Sequence, residues 1–149
     1  MIIGPLDRSA SRFTKRGKRS GVDFQPTILV HASPPFLSAG SRETTVKVVA
    51  TFPSAIGRHT KLEGRLYEHD RLTPDDHLQS FTIAVPFYAA TGSTTFRLSV
   101  VGDGRGARLQ GNTGDYSVAE KVWQLYAETE GAGRVRGARS KTLDLPWTD

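Results

Sequence analysis

The chain has 149 residues, no cysteine, 20 Lys/Arg against 15 Asp/Glu, and 37% hydrophobic residues. That length fits one domain able to bury a core of its own, and the lack of cysteine excludes a disulfide framework and a thiolate metal site. No apolar run approaches the length that spans a bilayer. Residues 1–6 are too short for the apolar part of a signal peptide, and the charges follow them instead of preceding them.

The charge is unevenly placed. Arg8, Arg12, Lys15, Arg16, Lys18 and Arg19 face a single acid, Asp7, so residues 1–19 carry +5, the formal net charge of the whole protein. Residues 20–132 carry −2 and residues 133–149 carry +2, the latter including Arg134, Arg136, Arg139 and Lys141. Residues 1–26, poor in large apolar side chains, read as a basic arm, flexible or extended over a neighbour. The composition also suits an organelle transit segment, although amphipathic helix character is weak. An arm of this kind is attracted to polyanions by counterion release. Phe13 is the single aromatic within the basic cluster, which favours phosphate-backbone contact over base stacking.

From residue 27 the pattern becomes strand-like. Residues 27–31 form a short β-rich run that ends before Ser33-Pro34-Pro35. Val46, Val48, Ala50 and Phe52 then alternate with polar or smaller neighbours, the period of a strand with one buried face. The same alternation returns at Leu62, Gly64 and Leu66, at Phe81, Ile83, Val85 and Phe87, and at Phe96, Leu98 and Val100. Pro86 inside the third of these suggests an edge or a bulge. Residues 54–60, 70–80, 90–93 and 102–115 read as turns. Residues 116–130 carry both helix and strand signals; a two-sheet fold needs more strands than the four clear ones, so a strand is expected over about 121–128. Residues 143–147 are expected to tuck back as a last short strand. The expected fold is all-β, an antiparallel β-sandwich of jelly-roll-like or related type, with residues 27–149 as a single domain ending in a Gly/Arg-rich segment.

One connection stands out chemically: Tyr67-Glu68-His69-Asp70-Arg71-Leu72-Thr73-Pro74-Asp75-Asp76-His77-Leu78. It leaves one strand and enters the next, with acids at Glu68, Asp70 and Asp76. The stretch resembles the second calcium loop of C2 domains, where a strand ends in an acid, a second acid follows two residues on, and a third comes about six later before an apolar residue. The resemblance implies a C2-like sandwich binding calcium through Glu68, Asp70 and Asp76, as hard carboxylate oxygens suit that ion. It covers about a dozen residues. Gln79 stands where that family usually has Gly, and residues 54–60 lack its other acidic loop. If the strands form an up-and-down meander, the connections at 32–43, 69–80 and 102–115 share one end, 53–61 lies at the other, and Asp103 and Asp115 can approach Asp70 and Asp76 to complete the site; a Greek-key crossover is expected to break this grouping. The bland reading of the same stretch is an acidic hairpin turn, with Thr73-Pro74-Asp75-Asp76 supplying turn chemistry.

His69 and His77 flank this loop at a spacing that matches no defined zinc pattern. Gly102-Asp103-Gly104-Arg105-Gly106 has the glycine content of a phosphate-cradling loop but no helix signal after it. No serine-nucleophile elbow, HExxH or catalytic cysteine is present, and the spacing of the acids singles out no catalytic pair. The expected function is therefore non-enzymatic: a binding or assembly protein, coat-like in plan. Its sandwich makes protein contacts, and its arm holds a polyanion (nucleic acid or an anionic surface) or a neighbouring subunit. A homo-oligomer or larger assembly, cytoplasmic or virion-associated, without a cofactor, goes with this reading. The alternatives are a C2-like module that binds calcium and an anionic membrane surface, and an enzyme with an acidic site at the loop end.

Overall fold

The computed structural model describes residues 24–56, 59–70, 73–102, 107–112, 116–118 and 122–148. Ten strands follow in chain order: β1 (Thr27–Ser33), β2 (Glu43–Thr51), β3 (Thr60–Glu68), β4 (Asp76–Val85), β5 (Thr91–Val101), β6 (Arg108–Gln110), β7 (Tyr116–Val118), β8 (Val122–Thr129), β9 (Ala138–Arg139) and β10 (Leu143–Pro146). The described residues include no helix.

The strands form two antiparallel five-stranded sheets. In the first the order is β9-β8-β3-β4, with β10 pairing β8 beside β9; in the second it is β1-β2-β5-β6-β7. The alternation seen in the sequence is the burial pattern. Val46, Val48 and Ala50 of β2 face Leu62 and Leu66 of β3, Ile83 and Val85 of β4 and Leu98 of β5 within one shared core, closed by Trp123, Leu125 and Leu145. Alternate residues point to opposite faces of a strand, so each sheet contributes its inner row to this core. The architecture is all-β and sandwich-like.

The chain does not follow the simple meander considered above. After β2 it crosses to the first sheet, makes the β3–β4 hairpin, and crosses back so that β5 lies beside β2. This is a Greek-key course. The crossover, expected to break the grouping of loops, does not do so for the described residues, because antiparallel pairing alternates the direction of successive strands. Residues 34–42 and 69–75 share one end: Leu37 N–H donates to Pro146 O, His69 N–H to Gln124 O, and Arg42 reaches the carbonyl of Gly102. Residues 52–56 and 86–90 lie at the other end, joined by Phe52 N–H to Ala90 O and Tyr88 N–H to Ile56 O, both 2.8 Å.

Several boundaries differ from expectation. β4 begins at Asp76 and stops at Val85, so the strand takes in half of the expected turn, and Pro86 lies just outside it. The segment 102–115 contains β6. Residues 116–130 hold two strands, β7 and β8, and no helix among those described. Val122, Trp123 and Leu125 pair with β10, and Leu125, Tyr126 and Ala127 with β3, which settles the ambiguous pattern as strand. Residues 143–146 form the expected last strand. Upstream of β1, Phe24 bridges Val135 and sits edge-on to Phe52, with centroids 6.5 Å apart.

Candidate functional site

The β3–β4 hairpin carries the acidic loop. Its geometry depends on a bulge. Leu66 pairs with Gln79, but the next residue, Tyr67, pairs with His77, so Leu78 is the extra residue. A one-residue shift exchanges the faces of everything beyond it. Without the bulge Glu68 would oppose His77; with it, Glu68 opposes Asp76. Leu78 and Gln79 are consequently both buried. Gln79 uses that burial: its Oε1 accepts the backbone N–H of Asn112 at 2.9 Å, and its Nε2 donates to Ser80 O at 3.1 Å.

Glu68, Asp70 and Asp76 converge. One carboxylate oxygen from each lies within 4.8 Å of the others. Glu68 is only 7% exposed, while Asp70 and Asp76 are half-buried. The loop between them is shaped by its own acids. Asp75 Oδ1 accepts the backbone N–H of Asp70 at 3.0 Å, and Asp70 Oδ1 accepts that of Thr73 at 3.3 Å. These are the side-chain-to-backbone bonds that make Asp a turn former. Three oxygen donors so placed match the donor chemistry of a hard divalent cation. Asp103 and Asp115, the other two carboxylates expected here, lie outside the described residues, as do Arg8, Arg12, Lys15, Arg16, Lys18 and Arg19 of the arm.

Asp75, read in the sequence as part of the turn, also ties the loop to the sheet. Its other oxygen accepts the Tyr126 hydroxyl, and His69 Nδ1 lies 3.2 Å from Oδ1. The Tyr126 hydroxyl and the Asp70 backbone N–H hold the Asp75 carboxyl below the usual carboxylate range. Burial and the neighbouring Asp75 charge push the Tyr126 phenol above its ordinary value. Tyr126 stacks on Tyr67 with centroids 5.4 Å apart, Tyr67 meets His77 at 5.7 Å, and the Arg139 guanidinium lies 4.4 Å above the Tyr126 ring. The signal in the sequence was Tyr67 and Tyr126 on facing strands, but their pairing required the fold. His77 Nε2 lies 3.1 Å from Ser80 Oγ, so the two loop histidines point to different partners.

Two other surfaces are built. A groove of ≈ 520 Å³ crosses the outer face of the first sheet, lined by Arg65, Tyr67, Glu128 and Arg139 among others; it does not include the three acids. At the opposite end of the molecule, Phe87 and Tyr88 project from the β4–β5 connection, 57% and 71% exposed, with their rings edge-to-face at 4.2 Å. Tyr88 has φ of 62°, the left-handed region that a bulky residue enters at a cost. Ile56 O, accepting the Tyr88 N–H, and Pro86 O, accepting that of Ala89, hold it there.

No protein-family model matches the chain, and no curated protein sequence matches it.

Proposed function

We propose that this protein is a non-enzymatic binding and assembly module. Residues 27–149 act as one rigid two-sheet domain that makes protein contacts, and the basic arm of residues 1–26 contacts a polyanion or a neighbouring subunit. The observation that carries this reading is the Phe87–Tyr88 pair. Two large aromatic rings in water, one of them on a backbone conformation that costs about 1 kcal/mol or more, are a poor arrangement for an isolated domain. They are a good one for an interface anchor, where rigid aromatics contribute most of the affinity. The test replaces Phe87→Ser and Tyr88→Gly together. Glycine relieves the left-handed strain, so thermal stability holds or rises while association, read by size-exclusion light scattering, falls. Unchanged association would count against the reading. The arm is tested separately. Deleting residues 1–19 removes nucleic-acid binding that weakens steeply with salt and survives chelation.

A second reading is favoured by one specific observation, the convergence of Glu68, Asp70 and Asp76. Under it the fold is C2-like, the acidic hairpin end takes calcium, and the arm meets an anionic membrane surface. Its mark is stabilisation by millimolar calcium that Asp70→Asn with Asp76→Asn abolishes.

A further inference from the structure

We infer that the end of the sandwich bearing Phe87 and Tyr88 is a docking site for an acidic segment of a partner protein that carries an apolar side chain. The inference rests on the assembly reading above and names the partner's chemistry. Beside the two exposed rings lies a hollow of ≈ 510 Å³, with Phe24, Ile56 and Val135 on its walls and His59, Lys61 and Arg134 among its polar lining. Ile56 joins the two features. Its carbonyl accepts the Tyr88 N–H at 2.8 Å, and its own N–H donates to Ala89 O at 3.1 Å.

The charge at this end has one sign. Its connections and strand ends are residues 24–27, 52–61, 86–91 and 131–137, and they contain no Asp or Glu. They contain Arg58, His59, Lys61, Arg134 and Arg136, of which Arg58 lies outside the described residues. The acids just inside this end belong to the outer face of the first sheet. There Glu63 accepts the Thr82 hydroxyl at 3.0 Å, and Glu130 lines the groove with Arg65. An apolar recess bordered by cations alone attracts a ligand that has both an apolar group and negative charge.

The chain's own basic arm does not suit this hollow, because residues 1–19 carry +5 and would meet like charge. Nucleic acid does not suit the rings. Phe87 and Tyr88 pack edge-to-face, with 78° between their planes, so they form a compact knob and not a pair of parallel faces for bases to stack on. A lipid surface takes up the knob but leaves the hollow unfilled. An acidic segment uses all three parts. Its apolar side chain fills the hollow, its carboxylates meet Lys61 and Arg134, and the two rings pack against its flank.

The test uses the full chain and fluorescein-labelled synthetic peptides in anisotropy titrations. One peptide alternates glutamate with leucine, and its control alternates glutamate with serine. The arm attracts both alike, so the difference between them reads the hollow. The glutamate–leucine peptide is expected to bind about tenfold more tightly. Lys61→Glu with Arg134→Glu removes that preference, as does Phe87→Ser with Tyr88→Gly, whereas deletion of residues 1–19 preserves it. If the charge-reversed chain fails to fold, Lys61→Gln with Arg134→Gln takes its place with the same expected outcome. Equal affinity for the two peptides, or a preference that either pair of substitutions retains, overturns the inference. So does tighter binding, dependent on Lys61 and Arg134, to phosphatidylserine vesicles or to oligothymidylate. If the peptide preference is absent while self-association in light scattering still falls on replacing Phe87 and Tyr88, the assembly reading stands alone. A chain with neither peptide preference nor self-association removes both.

Discussion

Asp75 holds the backbone that presents the acids of the loop and ties it to the neighbouring strand. It accepts from Asp70 N–H, from the Tyr126 hydroxyl and lies against His69. Its depressed pKa means that folding favours the ionised form. The stability this contributes is present above the unfolded carboxylate value of about 4 and is lost as pH falls through the lower folded value. Tyr126 is shifted the other way. Its folded pKa is raised, so its contribution is full below the unfolded phenol value of about 10 and is lost as pH rises beyond it. Tyr126→Phe should therefore flatten both limbs of a melting-temperature profile against pH, most visibly below pH 4. An unaltered acid limb would remove Tyr126 as the group that sets Asp75. On the core side, Trp123 is fully buried and edge-on to Trp147, with centroids 5.9 Å apart. Its truncation, Trp123→Ala, should cost about 3–5 kcal/mol in urea unfolding. Trp123→Phe should cost less, since the indole N–H has no hydrogen-bond partner among the described residues and its removal strands nothing.

The β3–β4 hairpin and its bulge are the element that makes the acidic end. An alternating strand read without the bulge sets His77 against Glu68, and the cluster does not form. The bulge is held from outside the hairpin. Gln79, buried by it, receives the Asn112 backbone N–H, and Gly111 lies against the Leu78 carbonyl. A methyl group at position 111 has no room there, because the atom it meets is backbone. Gly111→Ala is predicted to destabilise by roughly 1–3 kcal/mol, as overpacking does. It should also broaden the amide resonances of residues 77–80 in two-dimensional NMR spectra. Retention of wild-type stability would show that the 111–112 turn does not brace the bulge.

For the whole molecule, the exposed aromatic pair is separated from the acidic end. The acids lie at the end shared by residues 34–42, and Phe87 and Tyr88 lie at the other. A cation site and a protein contact at opposite ends are therefore separable by measurement. If calcium binds the acids, calcium at about a hundred times its Kd adds roughly 2.7 kcal/mol, about 5–10 °C in melting temperature for a chain of this size. Under the assembly reading alone the melting temperature is the same in calcium and in chelator, and the association state is unaffected by either.

What the sequence determined by itself was whatever local pattern controls. The alternation of Val46, Val48 and Ala50, and of Leu62 and Leu66, set strands with one buried face, because side-chain period and backbone pleat coincide. The acids at 68, 70 and 76 were legible as a group, since a hairpin brings residues flanking its turn together. The tertiary structure decided everything that depends on partners distant in the chain. Residues 122–129 carried two competing local signals, and pairing with β3 and β10 chose strand. The Greek-key return of β5 beside β2 replaced a meander, because burying two inner faces together requires the chain to change sheets. The bulge at Leu78 and the bond from Tyr126 to Asp75 are likewise matters of register and neighbourhood, which a single sequence fixes only once it has folded.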